Sequence, residues 1–291
     1  IIGTPPKFHT SLALEALDER PKAILIEKPL STPSLENLDE LNKQAEKSST
    51  HIFVGYNHVV SKAIKIAKEY VQNYDFGEIC TLDVEFREHW GGIFKAHHWL
   101  KGPSDSYLSQ WKAGGGACGE HSHALNLWQH LAKLAKKGRV IEVNCSMQYE
   151  KNSSFEYDKL CMINLKTEEG FLGRVVQDVI TLPTKKWGNI QGEKMSLNFS
   201  FEKQKGVDEV NLMIENEIIK QKFVNKTRPD DFIQEIDHIE TYFGKENNKD
   251  SPINLQNGIE TMLVISACYK SANLKRSVKI NHDKPFSIAI N

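Results

Sequence analysis

Apolar and polar positions alternate in blocks over residues 1–57, and the blocks predict a β-α-β-α-β succession. Ile1-Ile2-Gly3 reads as the end of a buried strand. A helix follows over about 8–19, with Leu12, Ala13, Ala16 and Leu17 on one face. Next comes a strand over 22–28, then a helix over about 34–47 that Ser34 is placed to cap and that spaces Leu35, Leu38, Leu41 and Ala45 helically. His51–Tyr56 closes the unit as a third strand. Strands alternating with helices imply a parallel, doubly wound sheet.

After Asn57 the pattern changes. An amphipathic helix over 60–73 (Ile64, Ala67, Val71) precedes a long strand, Glu78–Phe86, then a loop over 89–113 and a helix over about 118–136. Extended segments follow at 140–150, 157–167, 170–182, 194–202 and 209–224, with Met195, Leu197, Phe199 and Phe201 in strict alternation. Strands in succession without intervening helices predict a largely antiparallel sheet, which helices at 230–243 and 256–273 complete. The fold class expected is therefore α/β plus α+β: residues 1–57 as the second half of a dinucleotide-binding domain, and residues 58–291 as an α+β substrate-binding and oligomerisation domain.

One stretch carries chemistry by position. Ile24-Leu25-Ile26 is apolar throughout, as a strand covered on both faces must be. Pro29 cannot continue a sheet ladder, so the strand delivers Glu27 and Lys28 to its carboxyl end. Open α/β sheets bind ligands at that end, and a partly desolvated lysine there can serve as a general base.

Composition narrows the class. The 291 residues are 40% apolar and 26% charged with a net charge of −1, which gives no global field to attract nucleic acid or an anionic membrane. Five scattered cysteines without CxxC spacing suit a reducing cytoplasm, and no apolar run reaches membrane-spanning length. A domain rarely begins inside a core strand, so further sequence upstream of Ile1 is expected.

Several motifs, in order, resemble the Gfo/Idh/MocA family of nicotinamide-dependent oxidoreductases. Ile2 to His9 is similar to the family's "ATPxxxH" turn, Glu27-Lys28-Pro29 to its EKP motif, and Val54-Gly55-Tyr56-Asn57 to its "GYN". Gly114-Gly115-Gly116 with Glu120 and His123 resembles the glycine-rich turn before the catalytic helix. Gly188–Gly192 resembles a later glycine turn, and Gly258–Ala272 the terminal helix. The resemblance implies a Rossmann domain for NAD or NADP and a sheet domain that holds substrate. It also implies that the family's first βαβ unit, with its GxGxxG fingerprint, is absent from this sequence. By motif position, Lys28 is the catalytic acid/base, His123 its partner on the reacting oxygen, and Glu120 a further catalytic residue, one position later than the family's usual acid. Thr4, Pro5, His9, Glu27 and Asn57 fall on the cofactor side.

The loop over 89–111 holds Trp90, Trp99, Trp111 and Tyr107, whose rings suit the C–H faces of a pyranose. Trp90, Trp99, Lys101, Tyr107 and His121 are the substrate-contact candidates. No metal site is expected. The reading is a cytoplasmic dehydrogenase or reductase for a sugar, cyclitol or nucleotide-sugar, homo-oligomeric through the sheet of its second domain. The alternatives are an NAD+-dependent glycosidase of the same fold and a non-catalytic binding protein.

Overall fold

The computed structural model describes residues 1–96, 100, 102–283 and 285–289. A short 3-10 turn at Pro6–Phe8 runs into α1 (His9–Asp18), followed by β1 (Ala23–Ile26), α2 (Leu38–Ala45) and β2 (His51–Val54). β1 and β2 pair in parallel, and Ile2 joins them through a parallel bridge to Ile26. Main-chain bonds from Ile2 N–H to Leu25 O (2.8 Å) and from Glu27 N–H to Ile2 O (2.9 Å) hold that bridge. Ile24, Ile26, Ile52, Phe53 and Val54 are all buried, as expected of strands covered on both faces.

The second lobe begins with α3 (Lys62–Asn73), which Ser61 caps through the Ile64 N–H. β3 (Ile79–Arg87), α4 (Trp90–Ala96), α5 (Gly116–Glu120) and α6 (His123–Leu134) follow. Then come β4 (Val140–Lys151), β5 (Glu156–Thr167), β6 (Leu172–Asp178), β7 (Lys185–Gly192), β8 (Ser196–Gln204), β9 (Val207–Ile214) and β10 (Glu217–Asn225). The chain ends with α7 (Asp230–Glu240), α8 (Leu255–Leu274), β11 (Val278–Asn281) and β12 (Ser287–Ala289). Among the described residues, ten strands form one sheet in the order β10-β9-β8-β7-β3-β6-β5-β4-β11-β12, antiparallel throughout except for the parallel β3–β6 pair. α6 lies against this sheet, with Trp128 fully buried and its indole N–H donated to Leu82 O (2.9 Å). Among the described residues no helix is long and apolar enough to cross a membrane.

Six expectations are corrected here. Ser34 caps no helix: Leu35 and Asn37 adopt positive φ, and α2 starts only at Leu38. The helix expected over 118–136 is two, broken at His121-Ser122. Residues 209–224 are a hairpin of β9 and β10, and Gly188–Gly192 lies within β7. Gly188 is a packing glycine, since a Cβ there would lie 2.3 Å from the Phe199 ring. β11 and β12 extend the sheet beyond the last expected strand, and α4 occupies part of the expected loop.

Candidate active site

The carboxyl ends of Ile1–Gly3, β1 and β2 face the large sheet across a cleft of about 830 Å³. One wall is Gly3, Thr4, Pro5, Glu27, Lys28 and Asn57. This placement follows from strand chemistry: Pro29 stops β1, so the next side chains project from the strand end. Glycines shape this wall. A Cβ on Gly55 would come within 3.0 Å of Glu27 Oε2, so only hydrogen keeps the surface beside Glu27 open.

Lys28 reaches across the cleft. Its Nζ lies 3.0 Å from Glu120 Oε2 and donates to the Glu120 carbonyl oxygen at 2.8 Å. Glu120 ends α5, and the turn before that helix is tightly built. Gly114 and Gly116 hold φ of 94° and 77°. A Cβ on Gly115 would sit 2.3 Å from Tyr107 O, and one on Gly116 would sit 2.0 Å from Asp158 Oδ1. Asp158 itself is fully buried, accepting from the Cys118 N–H at 2.7 Å and the Tyr269 hydroxyl at 2.7 Å.

The break between α5 and α6 places His121 and His123 both on the cleft. On an unbroken helix, residues two apart face different directions. His123 stands 4.5 Å from the His58 ring and edge-on to Tyr56 at 5.6 Å, centroid to centroid. His58 donates from Nδ1 to Asn57 Oδ1 (2.9 Å) and is flanked by Phe86 and Phe201, each at 5.0 Å. Burial holds all three imidazoles neutral, and nearby cations reinforce it. His58 is pushed well below its ordinary value by burial, then by Lys186, Lys226 and Lys28. His123 is pushed well below by burial, then by His58, Lys28 and Lys186. Burial and then Lys186 bring His121 down to about 4. Neither His121 Nε2 nor His123 Nδ1 has a hydrogen-bond partner. Burial, with Glu120 and Glu27 nearby, keeps the Tyr107 phenol protonated.

Of the residues singled out from the sequence, Thr4, Pro5, Glu27, Lys28, Asn57, Tyr107, Glu120, His121 and His123 line this one cleft. His9 does not. Its ring is buried and ties Thr4 O (2.6 Å) to Pro29 O (2.9 Å), bracing the two turns of the cleft wall rather than facing it. Nor does Trp90, which is buried in the core, stacked on Phe94 at 5.7 Å and edge-on to Tyr157 at 5.6 Å. Trp99 and Lys101 lie outside the described residues. The structure adds His58, Glu88, Lys186, Glu202, Lys226 and Arg228 to the cleft. Only His58, next to the GYN motif, carried a signal in the sequence. The others arrive from separate strands. Among the described residues no group of three or more His, Cys, Asp or Glu side chains is arranged to hold a metal ion.

Parallel strands ending at a cleft, closed by a broad mixed sheet, define a two-lobed dinucleotide-binding class of fold. Two family models match accordingly: the NAD-binding Rossmann fold of an oxidoreductase family over residues 1–56, and that family's C-terminal alpha/beta domain over residues 68–280. The chain belongs to the Gfo/Idh/MocA oxidoreductase family. It is similar in fold to an NAD-binding oxidoreductase from Klebsiella pneumoniae, at 17% identity and TM-score 0.78, covering 97% of this chain and 80% of that one. The WlbA dehydrogenase from Bordetella pertussis, solved with NADH and UDP-GlcNAcA, aligns at 18% identity and TM-score 0.70, covering 97% of this chain and 78% of that one. Glucose-6-phosphate 3-dehydrogenase of Bacillus subtilis is 30% identical over 89 residues, 31% of this chain. The match spans only 25% of that relative's length.

Proposed function

We propose that this chain supplies the acid–base wall and the substrate lobe of an NAD- or NADP-dependent oxidoreductase acting on a secondary alcohol or ketone of a sugar, cyclitol or nucleotide-sugar. The observation that carries this reading is the Lys28–Glu120 tie across the cleft. An ammonium has three N–H donors. Glu120 engages two, one through its carboxylate and one through its carbonyl, which leaves the third for a substrate oxygen in the cleft. In the reducing direction Nζ gives that proton to the carbonyl oxygen. In the oxidising direction Nζ must enter as the neutral amine, whose lone pair takes the hydroxyl proton as negative charge builds on oxygen. His123, held neutral, hydrogen-bonds the same oxygen and orients it rather than protonating it. Glu120 fixes the position of Nζ, and the Gly114–Gly116 turn fixes Glu120.

Gly3, Thr4, Pro5, Glu27 and Asn57 would hold the nicotinamide end of the cofactor, and the open surface at Gly55 fits a planar group approaching Glu27. When bound, nicotinamide supplies the hydride acceptor or donor. The substrate class is supported by what the relatives are named for: a glucose phosphate in one case, a nucleotide-linked sugar acid in another.

The test is Lys28→Met, assayed by nicotinamide absorbance against a panel of sugars, cyclitols and nucleotide-sugars, with folding checked by circular dichroism. Turnover should fall by roughly 10³-fold while the spectrum is retained. Wild-type turnover in a folded Lys28→Met protein would remove the proposed chemistry.

A further inference from the structure

One end of the cleft is built around a strained residue. β8 loses register with β9 between Ser200 and Gln204, and Glu202 there takes φ of 51°, a left-handed conformation that costs a non-glycine residue energy. Such strain persists where the surroundings over-determine it. Here the Glu202 N–H donates to Asp208 Oδ1 at 2.9 Å, and Asp208 is 1% exposed. Lys226, itself buried, lies 3.1 Å from the same Asp208 oxygen and 2.9 Å from Asp231 Oδ2. A carboxylate–ammonium–carboxylate chain therefore underlies this end, and Glu202 and Arg228 reach the cleft from it.

Among the described residues, pairing the charges of the cleft isolates one cation. Lys28 is committed to Glu120 (3.0 Å), Lys186 to Glu88 (2.7 Å), and Lys226 to Asp208 and Asp231. Of the two acids nearest Arg228 in sequence, Asp230 accepts from the Thr227 N–H at 2.7 Å and Asp231 is held by Lys226. Arg228 lines the cleft and makes no ion pair among the described residues. A guanidinium presents two parallel N–H donors matched to the oxygens of a carboxylate or phosphate, a geometry no lysine offers. Glu202, also without an ion pair, presents acceptors suited to sugar hydroxyls.

We infer that the substrate is an anionic sugar, its carboxylate or phosphate held by Arg228 while Glu202 accepts hydrogen bonds from ring hydroxyls. The inference rests on the oxidoreductase reading for which carbon reacts, but not for how the anion is held. Lys186 and Lys226 also lie close enough to His58 to lower its pKa, behind the larger effect of burial.

The experiment compares glucuronate, glucose 6-phosphate and glucose, by calorimetry without nicotinamide and by turnover with it, in the wild-type chain and in Arg228→Gln. Arg228 is exposed, so an unchanged thermal midpoint is expected of the variant. The wild type should bind at least one of the two anionic sugars roughly tenfold more tightly than glucose, and Arg228→Gln should collapse that preference. Which anionic sugar binds more tightly identifies the group as carboxylate or phosphate. Equal affinity for all three sugars, no binding of either anionic sugar, or a preference that survives Arg228→Gln would overturn the inference. A preference lost in Arg228→Gln with no turnover of any sugar would uphold it and overturn the oxidoreductase reading instead.

Discussion

On one side of the Gly114–Gly116 turn, Asp158 uses both carboxylate oxygens on protein donors, the Cys118 N–H and the Tyr269 hydroxyl. On the other side, His121 Nε2 and His123 Nδ1 are just as buried and meet nothing. A buried polar atom without a partner costs about 1–3 kcal/mol, so a fold tolerates it where something else is gained. The closed cluster fixes where α5 begins, and the open one lines the cleft. The difference separates residues that hold the site from residues that use it.

Acid should expose the contrast most strongly. His58, His121 and His123 are all depressed, so the unfolded chain, whose histidines titrate near 6.5, binds protons that the folded chain does not. Their contribution is present above pH 6.5 and is lost as pH falls towards the folded values, about 4 for His121. Each histidine then contributes on the order of 1 kcal/mol per pH unit of lost stability. Asp158 works in the other direction. Burial raises its carboxyl well above the ordinary value, so its contribution is lost as pH rises past the usual carboxylate range. Urea unfolding between pH 7.5 and 4.5 should show stability falling on acidification, and a flat profile would contradict the buried neutral imidazoles.

Asp158→Ala strands two buried donors and should cost about 3 kcal/mol in the same unfolding assay. His123→Asn should do the opposite, lowering turnover roughly 100-fold with little change in thermal midpoint. If the two variants exchanged these phenotypes, the division between closed and open clusters would fail. Tyr269→Phe is the mildest change. It removes one donor to Asp158 but keeps the ring stacked on Trp111, and about 1 kcal/mol of stability should be lost.

Much of this was legible along the chain because it is local. The β-α-β-α-β alternation, the proline that stops β1 and the pair Glu27-Lys28 all lie within sixty residues and follow from periodicity and backbone chemistry. β7 was hidden because Gly188 and Gly192 look like turn residues until Phe199 is known to need the space. Trp90 was misread for a related reason: an aromatic-rich loop has the same composition whether its rings face sugar or each other, and Phe94 and Tyr157 decide the matter. The end of the cleft around Glu202 was not legible. Glu88, Lys186, Glu202, Lys226 and Arg228 are ordinary charged residues at the ends or bulges of β3, β7, β8 and β10 or just beyond β10, and sheet register brings those strands together.

The gap between α5 and α6 works as a slip joint. Beyond it, α6 is bolted to the sheet by Trp128 and Leu82; before it, the five residues from Gly116 to Glu120 are held by Asp158, the glycine turn and the tie to Lys28. A residue inserted between His121 and Ser122 would turn Glu120 and His121 relative to His123, which stays with α6, without unseating the lobe. A lineage could use that freedom to re-aim one wall of the cleft while inheriting an unchanged scaffold.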